Sequence, residues 1–380
     1  MRSKKEYFLD EISRCISLPS YFSSRFKYAL ISVLPVRSLY KHGILFNPAE
    51  IALGLTNECN LNCIMCENAC SGPTKRSSDT LSFSKYKELL REIRRLRPNQ
   101  VTIGVGEPLL YDEFVPFLAY VNKLNISLKI YTNGQLLEGL AQAIIKYRVQ
   151  ELDVSIDGLA PIHDKIRGKK GSFQKAIAGL RKIVRLRNEK DGIFPKIRVN
   201  CTITPENYDN IDAFSDFISA EDIDLLCFFH LFYYRTQEML VEQDKNHVGY
   251  AVSKNNKSEV YRKKIDLDIL YRNIDYIKDK YQSKRVFFIP ELNRKGLQIY
   301  YNSPGISIKK AGCKYPWSKI SIMPNGEAKV QYRCVDYVIG NVKKAGIKKT
   351  WKSDRFHRMR KHLLDNEDFP ICSRCCGSLK

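Results

Sequence analysis

Three cysteines, Cys59, Cys63 and Cys66, stand in the run LTNECNLNCIMCEN with the spacing Cys-x3-Cys-x2-Cys. Three thiolates on one short loop can hold three irons of a cubane [4Fe–4S] cluster. The fourth iron then has no protein ligand, and an open metal position is what separates a catalytic metal site from a structural one. A structural zinc loop is the competing reading, with Cys70 as the fourth ligand. Zinc ligands, however, usually come as two separated Cys-x2-Cys pairs. A second constellation, Cys313, Cys334, Cys372 and Cys375, lies near the C-terminus, with Cys376 as a spare or alternative ligand. Four thiolates saturate a [4Fe–4S] cluster, and they fit tetrahedral zinc equally well.

These ligands need elements to hold them. From Glu50 to about His230 strand and helix patterns alternate. Strands are expected at 50–56, 100–104, 127–132, 151–156, 196–204 and 223–229, and helices at 84–97, 112–123, 136–147, 172–189 and 210–219. Strands joined by crossovers of this length run parallel and right-handed. The expected fold is α/β, a partial (β/α)6 barrel, whose active site sits at the strand C-termini. Each of the glycine-, serine- and cysteine-bearing segments follows a predicted strand. His230 and Tyr233, after the sixth strand, would face a substrate in such a barrel, although a satisfied core histidine is the commoner case.

Residues 231–304 break the alternation. KNHVGYAVSKNNKSEVYRKK reads as a polar loop. IDLDILYRNIDYIKDKYQSK spaces Leu267, Leu270, Ile274, Ile277 and Tyr281 as an amphipathic helix does, and RVFFIPEL reads as a further strand. Asn-Gly in PNGEAKVQYRC is a strong hairpin signal. Residues 1–47 read as two short amphipathic helices that either pack on the barrel, the preferred reading, or make peripheral membrane contact. The domains are thus 1–47, 48–230, 231–304 and a small Cys-rich unit at 305–380.

The chain has 380 residues, enough for a large core plus a smaller domain. Twelve cysteines without a signal peptide indicate metal ligands in a reducing compartment, the cytoplasm, rather than a disulfide scaffold. Cys15, Cys70, Cys201 and Cys227 are expected as small buried hydrophobes. With 63 Lys and Arg against 41 Asp and Glu the formal charge is +22, which suits an anionic partner or simply a basic surface. No nucleic-acid module accompanies it, so no specific nucleic acid is expected.

Taken in order, these segments resemble a radical S-adenosylmethionine (SAM) enzyme. EIALGLT precedes the cysteine loop. VTIGVGEPLL resembles the family's Gly-Gly-Glu-Pro element, with Val105 interrupting the glycine pair. KIYTNGQLL and ELDVSIDGLAPIHDKIRG follow. The C-terminal part, from GCKYPWSKISIMPNGEAKVQYRC to CSRC, resembles a SPASM domain, which favours iron–sulfur over zinc there. The resemblance implies two [4Fe–4S] clusters, one SAM-binding on Cys59, Cys63 and Cys66 and one auxiliary on Cys313, Cys334, Cys372 and Cys375. It implies that Gly104, Gly106 and Glu107 lie at the methionine amino group, Ser155 at the ribose, Arg167 at the methionine carboxylate and Met65 near the adenine. The implied activity is hydrogen abstraction by a 5′-deoxyadenosyl radical, with electrons from a flavodoxin- or ferredoxin-type donor. For the substrate, a small polar or carbohydrate-like molecule, oxidised or epimerised, is expected ahead of a peptide. Residues 1–47 are too short for the leader-recognition domain that peptide-modifying relatives carry. A non-catalytic zinc protein associated with nucleic acid is the remote alternative.

Overall fold

Seven parallel strands follow one another through the chain: β1 (Glu50–Leu53), β2 (Gln100–Ile103), β3 (Leu128–Thr132), β4 (Glu151–Ser155), β5 (Lys196–Ile203), β6 (Leu225–His230) and β7 (Val286–Ile289). Then come β8 (Lys319–Ile322), β9 (Glu327–Lys329) and β10 (Val338–Asn341). Together they make one sheet in the order β10-β9-β8-β1-β2-β3-β4-β5-β6-β7. This computed structural model describes residues 40–41, 43, 45–66, 80–190, 192–231, 264–281, 285–303, 306, 313–330, 337–365 and 372.

The helices are α1 (Phe83–Leu96), α2 (Phe114–Lys123), α3 (Leu137–Lys146), α4 (Ala160–Arg167), α5 (Ser172–Asn188) and α6 (Ile211–Ser219) in the crossovers. After β6 follow α7 (Leu267–Tyr281), α8 (Arg294–Asn302), α9 (Tyr315–Ser318), α10 (Val342–Trp351) and α11 (Asp354–Asp365). The expected strands and crossover helices are all present, with ends shifted by at most three residues. α4 was not legible, because its buried residues are His163, Ile166 and Arg167 and it shows no apolar period. α1 illustrates the legible kind. Ser82 Oγ accepts from Lys85 N–H at its start, Tyr86, Leu89, Leu90, Ile93 and Leu96 form the buried stripe, and Arg97 closes it in the left-handed region.

Parallel strands covered on both faces usually read as continuous apolar runs. Here β1 to β5 alternate. One face carries Ile51, Leu53, Val101, Ile103, Ile130, Leu152, Val154, Ile197 and Val199, buried in the core with the helices. The other face carries Glu50, Thr102, Lys129, Asp153, Arg198 and Asn200, joined by polar contacts across neighbouring strands. The sheet therefore has a polar inner face, as a chamber for a ligand requires.

The C-terminal segment does not form a separate sheet. β8 pairs in parallel with β1, Ile51 opposite Ile320, and the Asn325-Gly326 turn folds β9 back on β8, with Gly326 at φ +83°. The stretch before β1 is tied to the same region, since Trp351 Nε1 donates to Phe46 O at 2.8 Å. The expected helices of residues 1–39 and the expected polar loop after β6, with Tyr233, lie outside the described residues. Among the described residues no helix is long and apolar enough to cross a membrane.

Candidate active site

The cysteine loop leaves the C-terminal end of β1 and is clamped from two sides by backbone. From one side, Glu107 N–H donates to Glu58 O at 2.7 Å. From the other, Asn62 N–H donates to Arg167 O at 3.2 Å and Ile64 N–H to Ile166 O at 2.9 Å, at the end of α4. Both clamps need glycine. A Cβ on Gly106 would stand 2.4 Å from Glu58 O, and one on Gly168 would stand 2.6 Å from Asn62 O. Gly106 thus allows close approach to the cysteine loop's own backbone. Gly104 likewise makes room inside the chain: its Cβ would stand 2.8 Å from Tyr131 Cβ.

Glu107 is the hub beneath the loop. Its carboxylate, 1 % exposed, accepts from Thr132 Oγ1 at 2.8 Å, Leu109 N–H at 3.2 Å and Asn133 N–H at 2.7 Å. Burial pushes its pKa up to about 7 against these hydrogen bonds. Its oxygens are therefore engaged by the chain. Through Glu107 the Thr132–Asn133 turn is held, and Asn133 Nδ2 donates to Asn60 Oδ1 at 2.8 Å and to Cys59 Sγ at 3.8 Å.

Arg167 is engaged by the chain as well. Its Nε lies 2.5 Å from Asp157 Oδ2, and its Nη1 donates to Cys63 Sγ at 3.6 Å. The guanidinium thus meets the chain's own Asp157 on its Nε side. Burial opposes the charge on Arg167, but Asp157 and Cys63 outweigh it and hold the guanidinium protonated. Asp157 is held in turn by Thr202 N–H, which donates to Oδ1 at 2.8 Å. Asn207 Nδ2 donates to Asp157 O at 2.8 Å and Thr202 O at 2.9 Å. Sequence reasoning missed Asn207; a Thr-x-x-Asn turn after a strand was its only trace. It also missed the carbonyls of Ile166 and Arg167, which leave no sequence signal at all.

The residues present fit a cluster. The three cysteines are free thiols on one loop, Cys63 buried and the others half-buried. Burial raises the Cys59 thiol and pushes Cys63 up to about 11, so bound metal must displace their protons. Among the described residues no three His, Cys, Asp or Glu side chains converge on a point as ligands of one ion would. A cubane does not ask for that, because each thiolate takes a different iron. Met65 sits half-buried between Cys63 and Cys66, and Ser155 ends β4 beside Asn200. Of the second constellation, Cys313 lies just before α9 and Cys372 packs against the core; Cys334, Cys375 and Cys376 lie outside the described residues. Cys201 and Cys227 are buried. His230 does not face the chamber. It is buried among Tyr300, Tyr301 and Phe288, with Nδ1 2.8 Å from Tyr301 Oη.

Residues 53–218 match the family model of the radical SAM superfamily, and residues 313–376 match that of an iron–sulfur cluster-binding domain, SPASM. The chain is 27% identical over 195 residues to Fe-coproporphyrin III synthase of Methanosarcina barkeri, covering 51% of this chain and 47% of that protein. It is 29% identical over 191 residues to mycofactocin maturase MftC of Mycolicibacterium smegmatis, covering 49% of this chain and 46% of that one. The chain thus matches about half the length of these curated relatives. Among solved structures, Streptococcus suis SuiB bound to precursor peptide SuiA superposes with a TM-score of 0.61 at 19% identity, covering 99% of this chain and 83% of that one. The structure of anSMEcpe with bound AdoMet gives a TM-score of 0.56 at 15% identity, covering 87% of this chain and 91% of that one.

Proposed function

For a chain that carries a radical SAM domain followed by a SPASM domain, we propose SAM-dependent radical modification of a peptide substrate. A [4Fe–4S] cluster with SAM on its open iron supplies the one-electron cleavage that yields a hydrogen-abstracting 5′-deoxyadenosyl radical. Cys59, Cys63 and Cys66 hold its three other irons. Asn133 and Arg167 donate to two of the ligand sulfurs, and such hydrogen bonds and charges are what set cluster potentials. Ser155, at the C-terminal end of β4, lies on the inner face where the ribose is expected. Cys313, Cys334, Cys372 and Cys375 hold an auxiliary cluster, and a flavodoxin- or ferredoxin-type protein delivers the electron.

The observation that carries this reading is the double backbone clamp on the cysteine loop, which presents three thiolates at the strand C-termini. The peptide is preferred to the small carbohydrate-like substrate because a peptide-bound fold aligns along nearly the whole chain and a maturase is among the relatives. Anaerobic reconstitution should give two [4Fe–4S] clusters per chain. Replacing Cys59, Cys63 and Cys66 with Ala should leave one cluster and no 5′-deoxyadenosine by chromatography. Residual SAM cleavage in that triple variant would defeat the assignment.

A further inference from the structure

A charged layer on the inner face plays no part in holding the proposed cluster. Strand register sets Tyr131, Asp153 and Arg198 side by side on β3, β4 and β5. Asp153 is 1 % exposed, and its Oδ2 takes Lys129 Nζ at 3.0 Å and Asn200 Nδ2 at 3.1 Å. Arg198 Nη1 reaches the same oxygen only at 3.6 Å. Its Nε is buried and makes no hydrogen bond among the described residues. Lys129 Nζ is shared between Asp153 and Glu151, whose Oε2 lies 3.2 Å away, and the Arg198 guanidinium, with one long contact to Asp153, keeps a donor without a hydrogen bond among the described residues. An arginine fork with donors to spare is the side chain best shaped for a carboxylate.

Among the described residues, the layer above is lined by small groups. The next inner layer runs Ser155, Asn200, Cys227 in register, all short side chains. Tyr131, seated against Gly104, is 38 % exposed. Arg198 stands four residues before Thr202, whose N–H holds the Asp157 that pairs with Arg167. At about 3.3 Å per residue the guanidinium lies roughly 13 Å along the strand from that level.

We propose that Arg198 and Tyr131 form the floor of the substrate chamber and take a carboxylate on a short aliphatic stem, the acidic side chain of a peptide. Asn200 Oδ1, buried and without a hydrogen-bond partner among the described residues, accepts an N–H of the same ligand. This deepens the function proposed above and rests on it. Its test reads binding without turnover, so either reading can fail alone.

Reconstituted enzyme is titrated calorimetrically with glutarate and with its uncharged analogue glutaramide. Glutarate should bind at least tenfold more tightly. Arg198→Gln should erase that preference, and Arg198→Lys, which keeps the charge but loses the fork, should cut it at least fivefold. Arg181→Gln, at an exposed arginine paired with Glu221, should keep the preference and so exclude general attraction to the basic chain. The tripeptides Ala-Glu-Ala and Ala-Gln-Ala should repeat the discrimination. Equal binding of glutarate and glutaramide, or a preference that survives both Arg198 variants, overturns the chamber. Discrimination with glutarate but not with the tripeptides overturns the peptide source.

Discussion

At Gly106 the missing methyl group is a condition for the site. The backbone there has φ +61°, and a Cβ would collide with the carbonyls of Glu58 and Thr56 at 2.4 and 2.8 Å. A non-glycine residue held in such a conformation costs about 1–3 kcal/mol, and the collision adds to that by pushing the cysteine loop off the β2 turn. Gly106→Ala should therefore lower both the urea midpoint of the apoprotein and the iron retained by the N-terminal site. Gly139→Ala is the contrast. Gly139 lies within α3 with nothing within 4 Å of its would-be Cβ, and there Ala should stabilise by up to about 1 kcal/mol. Equal iron content in the two variants would show that the clamp at Glu58 does not shape the loop.

Among the elements, α1 does double service. Its apolar stripe packs into the barrel, while its Glu92 reaches the C-terminal unit. Oε2 accepts from Ile347 N–H at 2.9 Å and Oε1 from Lys348 N–H at 2.8 Å. α10 is broken at Gly346, φ +71°, so these two amides are the free N–H groups of a fresh helical turn. A carboxylate from another helix caps them and also favours the positive end of the dipole. Glu92→Ala should cost about 0.5–2 kcal/mol, the usual value of a lost cap. Hydrogen exchange should quicken at Ile347 and Lys348 while the β3 amide of Ile130 keeps its protection. Unchanged exchange at Ile347 and Lys348 would mean that the capping bonds contribute nothing in solution.

For the whole molecule, buried titratable groups make stability depend on pH. Burial lowers His230 to about 3 and His163 to about 3 from an ordinary value near 6.5. A depressed histidine contributes stability that is complete above the unfolded pKa and is lost as pH falls from 6.5 towards 3. The slope is at most about 1.4 kcal/mol per pH unit for each group. Glu107 acts in the opposite sense. Raised from 4.5 to about 7 by burial, it contributes fully below 4.5, and that contribution fades as pH rises towards 7. His230→Leu should make the apoprotein's urea midpoint fall less steeply between pH 6.5 and pH 4 than it does in the wild type. Parallel curves would show that His230 is protonated in the fold.

How much of this was legible depends on where each signal resides. The cysteine spacing, the βα alternation and the Asn-Gly hairpin are local, and local chemistry is written in consecutive residues. They led to the partial barrel, to its strands within three residues, and to the family. The roles of single polar residues were not local. The fold sets Arg167 against Asp157 and Cys63, and Glu107 against Thr132, Leu109 and Asn133. A guanidinium or carboxylate takes the nearest well-placed partner, and partners 10 to 104 residues away, such as Asp157 and Cys63 for Arg167, are fixed only by how the strands stack. His230 left the chamber because a strand alternates its faces, and the aromatic residues of α8 and β7 covered the face it took. The pairing of β8 with β1, which joins the C-terminal unit to the barrel sheet, likewise depends on which free edge a distant strand finds. The sequence by itself therefore determined the metal chemistry and the α/β order. The tertiary structure decided which side chains remain for a substrate, because that is set by what the folded chain has already paired.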